Sequence, residues 1–147
     1  MEILKNRPQS LAGKTLTKLE AGIDDIDKFR FDMLFEDGSG LKIFVETKNY
    51  ASTTGFTTSF YNQFKAYISN QNITSLDQIK YYFRANTGVT KTDRVQKFKN
   101  LINNGGNREQ FFNSLNPTLK NQYQIEFVSD IDDSFLTTFL NTIIEVY

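Results

Sequence analysis

Two apolar runs dominate the first half of the chain, Phe29 to Phe35 and Leu41 to Tyr50, separated by Glu36-Asp37-Gly38-Ser39-Gly40. Short runs rich in Phe, Ile and Val on either side of a glycine-rich reversal predict a β-hairpin. Side chains alternate faces along a strand, so Lys42, Phe44, Glu46, Lys48 and Tyr50 share one face of the second strand. Arg30, Asp32 and Leu34 share a face of the first. A loop of odd length, Gly38-Ser39-Gly40 or one residue longer on each side, sets Asp32 opposite or diagonal to Glu46 on the same face.

The remaining elements follow from the same periodicities. Ala12, Leu16, Leu19 and Ile23 recur at helical spacing and predict a helix from about Ser10 to Ala21, with Glu20 on the flank of its apolar stripe. Beyond the hairpin the pattern predicts a helix from Phe56 to Ser69, a strand from Ile79 to Ala85, and helices over Thr92 to Ile102 and Asn107 to Leu115. A strand from Tyr123 to Val128 and a helix from Asp133 to Ile144 complete the chain, the last capped by Asp132 or Asp133. Alternating helices and strands predict an α/β fold: a central mixed sheet flanked by helices, in which the Ile79 strand lies parallel to the Leu41 strand through the crossover helix.

Length and composition bound this picture. The chain has 147 residues, 39% of them hydrophobic, enough for one core. Pro8, Pro117 and the Gly105-Gly106 pair mark loops, and no linker, repeat or low-complexity run divides the chain, so residues 1–147 read as one domain. Cysteine is absent, which excludes disulfides and thiolate zinc sites. Histidine is absent too, so histidine triads, histidine-metal nucleases and zinc deaminases are excluded, and any hydrolysis must run on carboxylates, lysine or tyrosine. No transmembrane span or signal peptide is expected, because Lys5, Arg7, Pro8 and Lys14 interrupt the first residues.

Charges on the hairpin change the reading from architecture to chemistry. A buried strand position favours Val, Ile or Phe, and a charge there requires a partner or a metal. Asp32 and Glu46 meet the needs of a magnesium-type cation, which takes one or two carboxylates and fills its other positions with water and phosphate oxygens. Lys48 then stands where an ammonium can orient the attacking water or offset charge building on a phosphate. A surface ribbon with a solvated charged face would carry the same three residues.

The stretch FRFDMLFEDGSGLKIFVETKNY resembles the core of the PD-(D/E)XK nuclease superfamily, in particular its RecB-like branch, in which an aspartate ends one apolar strand and (D/E)-x-K closes the next. Gln63-Phe64-Lys65-Ala66-Tyr67 is similar to the Q-x-x-x-Y motif that follows the lysine there, and residues four apart lie on one helical face. The matched region runs from about Phe29 to Ile68. The resemblance implies a restriction-endonuclease-like core and a Mg²⁺- or Mn²⁺-dependent nuclease without a small-molecule cofactor. Asp32 and Glu46 would hold the metal with the carbonyl of Thr47, Lys48 would serve the water, and Gln63 and Tyr67 would orient Lys48 or the phosphate. An acidic residue on the first helix is also implied, and Glu20 is the candidate. The chain departs from the pattern where a strand should stand between that helix and Asp32, because Asp24-Asp25-Ile26-Asp27 makes a poor strand.

Net charge is zero, but it is segregated. Lys80, Arg84, Lys91, Arg94, Lys97 and Lys99 face only Asp93 over twenty residues, and Lys91, Arg94 and Lys97 at helical spacing predict a basic stripe for phosphates opposite Val95, Phe98 and Ile102. The expected substrate is nucleic acid, DNA before RNA, and the expected site of action is the cytoplasm. By analogy of size, a toxin domain of a bacterial competition system, exported into a target cell and bound by an immunity protein, fits the chain. The alternative is a catalytically inactive module of the same fold that binds nucleic acid or a protein partner.

Overall fold

A computed structural model describes residues 8–21, 31–50, 55–85 and 88–147, with the side chains of residues 20 and 21 excepted. The five strands are β1 (Thr15–Ala21), β2 (Phe31–Glu36), β3 (Lys42–Lys48), β4 (Ile79–Phe83) and β5 (Ile144–Val146). The helices are α1 (Thr58–Ser69), α2 (Lys91–Ile102), α3 (Asn107–Ser114), α4 (Pro117–Tyr123) and α5 (Asp133–Ile143). The strands form one mixed sheet in sequence order, with β1, β2 and β3 antiparallel and β3, β4 and β5 parallel. The architecture is thus α/β with the expected hairpin and parallel crossover.

Turn chemistry fixes the hairpin. The Asp37 carboxylate accepts hydrogen bonds from the backbone N–H groups of Ser39 and Leu41 and from the Ser39 hydroxyl, and Gly40 takes φ +85°, a left-handed conformation that a side chain disfavours. The resulting register sets Met33 opposite Val45 and Phe35 opposite Ile43. Buried residues from all five helices pack on one face of the sheet, against Leu34, Phe44, Ile79, Tyr81 and Phe83. The other face carries Met33, Phe35, Ile43, Val45 and Tyr82, covered by Leu11 from a 3₁₀ turn at Gln9–Leu11. That turn is tied down by a 2.6 Å hydrogen bond between Ser10 and Tyr82.

Three expectations are corrected. The segment from Ser10 to Ala21 is a 3₁₀ turn and edge strand β1, not a helix. Gly13 at φ +74° breaks the backbone, the β-branched Thr15 and Thr17 favour extended structure, and Leu19 is 55% exposed, so the helical spacing there was coincidental. Glu20 therefore stands on a strand that pairs directly with the Asp32 strand. The poor strand at Asp24 to Asp27 lies outside the described residues, as do Phe29 and Arg30. The segment from Tyr123 to Val128 is not a strand. Asn116 caps α4 with Pro117 in its first turn, the helix runs through Tyr123, and Gln124 ends it at φ 56°. Asp130 then takes the N–H groups of Glu126 and Phe127, so neither is offered to a ladder. The last correction is a strand the pattern hid: Ile144–Val146 pairs with β4 instead of prolonging α5.

Asn116 holds α1 and α4 together. Its side-chain amide donates to the carbonyls of Asn70 and Ile73, its side-chain oxygen caps Leu119, and its own N–H reaches Ile68. Replacing Asn116 with Ala strands two carbonyls and removes a cap. It should cost about 3 kcal/mol in urea denaturation, well above the loss of a cap alone.

Candidate active site

On the helical side, β3 ends in two charged residues at strand alternation. Glu46 is 3% exposed, and its Oε2 lies 3.2 Å from the Lys48 ammonium. Glu46 also accepts the backbone N–H of Asp32, so the two strand ends are tied through this carboxylate. Burial raises the Glu46 pKa to about 7, the negative charge of Asp32 adds to the rise, and Lys48 opposes it.

Asp32 itself departs from simple alternation. Phe31 and Met33 would share a face at period two, yet Phe31 packs in the helical core and Met33 in the opposite cluster. The break turns the Asp32 carboxylate toward β3, where its Oδ2 accepts the Thr47 N–H and the Thr47 hydroxyl, both at 2.8 Å. Asp32 and Glu46 thus meet at the same strand ends, each carboxylate accepting a backbone N–H from the other's strand, with the charge of Asp32 acting on Glu46. Thr47, whose carbonyl is the expected metal ligand, holds Asp32 through its N–H and hydroxyl.

Helix α1 supplies the far wall. Thr57 caps it by accepting the Phe60 N–H, and Phe60, Phe64, Tyr67 and Ile68 form its buried stripe. A cavity of about 210 Å³ opens between the helix start and β3, lined by Lys48, Tyr50, Thr57, Ser59, Phe60 and Gln63. Gln63 and Lys48 thus line the same cavity. Tyr67 is not among the lining residues: it is buried, with its ring stacked 3.7 Å from that of Phe31, and it anchors the residue before Asp32. Thr57 and Ser59 were missed by the sequence reading, although a Thr-Thr-Ser run before an apolar stripe is the usual signature of a helix start. Nothing is described of the Glu20 side chain.

The basic stripe on α2 is corrected. Lys91 lies 3.6 Å from Glu145 and Lys97 3.8 Å from Asp93. Arg94 is fully buried, paired with Asp93 at 2.6 Å, with its guanidinium carbon 5.9 Å from the ring centres of both Phe56 and Phe83. Lys97 alone of the three lines an open groove, with Phe56, Asn100, Asn103 and Asn104. A larger cavity of about 640 Å³ lies past the ends of β4 and β5, between Ser10, Arg84, Glu145 and Tyr147, and contains none of the expected catalytic residues. Among the described residues no cluster of three or more acidic, histidine or cysteine ligands occurs, and no helix is long and apolar enough to cross a membrane.

Comparison with known proteins returns no matching family model, no matching curated protein and no matching solved structure.

Two predictions follow from these environments. A carboxyl whose folded pKa is raised from 4.5 to about 7 binds its proton more tightly in the folded state. Its stabilising contribution is complete below pH 4.5 and is lost as pH rises through 7, a change of about 3 kcal/mol. Replacing Glu46 with Gln should remove that slope between pH 4.5 and 7.5, read from urea midpoints across pH. Replacing Arg94 with Ala should cost about 3 kcal/mol through lost packing, whereas Lys91→Gln and Lys97→Gln should each stay within about 0.5 kcal/mol in the same assay.

Proposed function

We propose that this chain is a metal-dependent nuclease of the restriction-endonuclease-like class that hydrolyses phosphodiester bonds in nucleic acid, DNA before RNA. The observation that carries the reading is the buried Glu46 carboxylate, acted on by the charge of Asp32 and paired with Lys48, which itself lines a polar cavity. A buried carboxylate whose ionisation is opposed by a neighbouring carboxylate is relieved by a cation, and an all-oxygen donor set suits Mg²⁺ or Mn²⁺. Asp32 and Glu46 would hold it. When bound, such a cation supplies charge against phosphate oxygens and acidifies water.

The chain's own residues account for the remaining steps. The start of α1 carries partial positive charge, and with the hydroxyls of Thr57 and Ser59 and the Gln63 amide it makes the cavity a cradle for a phosphate. Lys48 stands between that cradle and Glu46, where its ammonium offsets the negative charge that grows on the phosphate as the bond to the leaving oxygen breaks. Thr47 keeps Asp32 in place, and the stack of Tyr67 on Phe31 fixes the strand end that bears it. A nucleic-acid strand leaving the cavity past Thr57 and Phe56 meets the groove of Lys97, Asn100, Asn103 and Asn104.

A second reading, a non-catalytic binding module, draws on the same bonds. One Asp32 oxygen already has two donors and Glu46 already has its lysine, a set that could hold two strand ends together without chemistry.

Incubation of the protein with duplex DNA, single-stranded DNA and total RNA, with Mg²⁺ or with a chelator, separates the readings. Metal-dependent cleavage supports the nuclease; retention of nucleic acid without cleavage in any arm supports the module. Lys48→Ala should lower cleavage by about 100-fold or more while the circular dichroism spectrum stays native, because Glu46 can take up a proton in place of its lost partner. Unchanged turnover in a folded Lys48→Ala protein would exclude the role given to this lysine.

A further inference from the structure

The end of α2 borders a groove of about 560 Å³ whose polar lining is Lys97, Asn100, Asn103 and Asn104. Two of these amides have their orientation set by the protein. Arg108 donates through Nη2 to Oδ1 of Asn103, and a guanidinium can only donate, so the oxygen of Asn103 turns to Arg108 and its NH₂ end is left for the groove. Gln96 donates through Nε2 to Oδ1 of Asn100 at 2.9 Å, with the same result one turn earlier. The Lys97 ammonium, 3.8 Å from Asp93, adds a cation to the lining.

A helix C-terminus repels anions when its last carbonyls stand open. Here they are answered: the Asn103 N–H donates to the Lys99 carbonyl, and the Asn107 side chain donates to that of Leu101. The groove therefore offers donors to a ligand that brings acceptors. Its position adds a second constraint. Phe56 lines the groove and Thr57 lines the cavity of Lys48 and Gln63, so one chain step, about 3.8 Å between Cα atoms, separates the two hollows. Duplex DNA is stiff, with a persistence length of about 150 base pairs, and lies across two such hollows without entering both. A single strand is flexible enough to dip into each.

We infer that the groove holds a single-stranded segment of the substrate by its phosphate oxygens, through the NH₂ groups of Asn100 and Asn103 and the Lys97 ammonium, next to the hollow where the strand would be cut. The inference deepens the nuclease reading and rests on it for the nature of the ligand. Phosphate oxygens are common to every nucleotide, so this grip selects strandedness and not bases.

The test is Asn103→Asp in the full chain. The carboxylate still accepts from Arg108, so the fold keeps its contact, while the donor to the groove is gone. Asn113→Asp, on the exposed side of α3 and outside the groove lining, adds the same charge as a control. Binding is read by fluorescence anisotropy in the presence of a chelator, with labelled oligothymidylate, oligoadenylate and a duplex of equal length. The unaltered protein is expected to hold the two single strands alike and both more tightly than the duplex. Asn103→Asp should weaken single-strand binding by about ten-fold beyond the control, with an unchanged thermal midpoint. Equal affinities of Asn103→Asp and Asn113→Asp overturn the inference, as does a duplex held as tightly as the single strands or a marked preference for one of the two bases. Cleavage with Mg²⁺ is scored separately: a protein that shows this binding pattern and never cleaves keeps the groove assignment and loses the nuclease reading, whereas absence of binding to any of the three overturns the groove assignment whatever the cleavage assay shows.

Discussion

The burial of Glu46 on the central strand is the constraint around which the rest of the site is arranged. A carboxylate at 3% exposure in an aromatic core is unfavourable unless something answers its charge, and Lys48, two residues on along the same strand face, is the nearest answer. Such a pair is weak support for a fold, because desolvating both groups offsets most of their attraction. Breaking it by removing one member typically costs about 3 to 5 kcal/mol, unless the remaining group changes protonation. The pKa near 7 gives Glu46 that escape. A protein shaped only for stability would place Val or Phe at position 46, like the neighbours Phe44 and Val45.

Aromatic packing makes this charged strand end rigid. Phe60 and Phe64 of α1 meet Phe98 of α2 edge to face, Phe111 of α3 stacks on Phe64, and Phe56 closes against Phe60, Phe83 and Phe98. The same wall captures Arg94, whose stem and planar head fill space between Phe56 and Phe83 while Asp93 satisfies its charge. Placing the guanidinium behind the wall, rather than on the surface, adds a fixed positive charge near the ends of β3 and β4.

What the sequence revealed and what it hid divide along local and non-local causes. The hairpin, α1, β4, α2 and α5 were legible because each carries its own signal: a glycine turn held by Asp37, a run of Phe and Val, or an apolar stripe behind a Thr or Asp cap. The pairing of Glu46 with Lys48 and the cavity that Lys48 shares with Gln63 rest on equally local rules, strand alternation and one helix face. The rest depended on partners far along the chain. β1 is extended because it borders β2, β5 because it finds β4, and the turn of Asp32 toward Thr47 requires Phe31 to seat under Tyr67. Arg94 sits at a helical position that reads as solvent-facing until Phe56 folds over it.

Topology explains why the polar elements gather where they do. A helix that follows a parallel strand begins beside that strand's C-terminal end, and α1 and α2 follow β3 and β4 in this way. Their starts bring unpaired N–H groups and partial positive charge to the edge where Lys48 ends its strand. The Arg84 N–H donates to the Lys48 carbonyl at 2.9 Å, so a second cationic residue follows directly on the adjacent strand. Glu46 and Asp32 lie just inside this edge. The chain is neutral as a whole, yet the edge is layered, cationic outside and anionic beneath. That layering arises from strand order and helix direction, and so composition and net charge gave no sign of it.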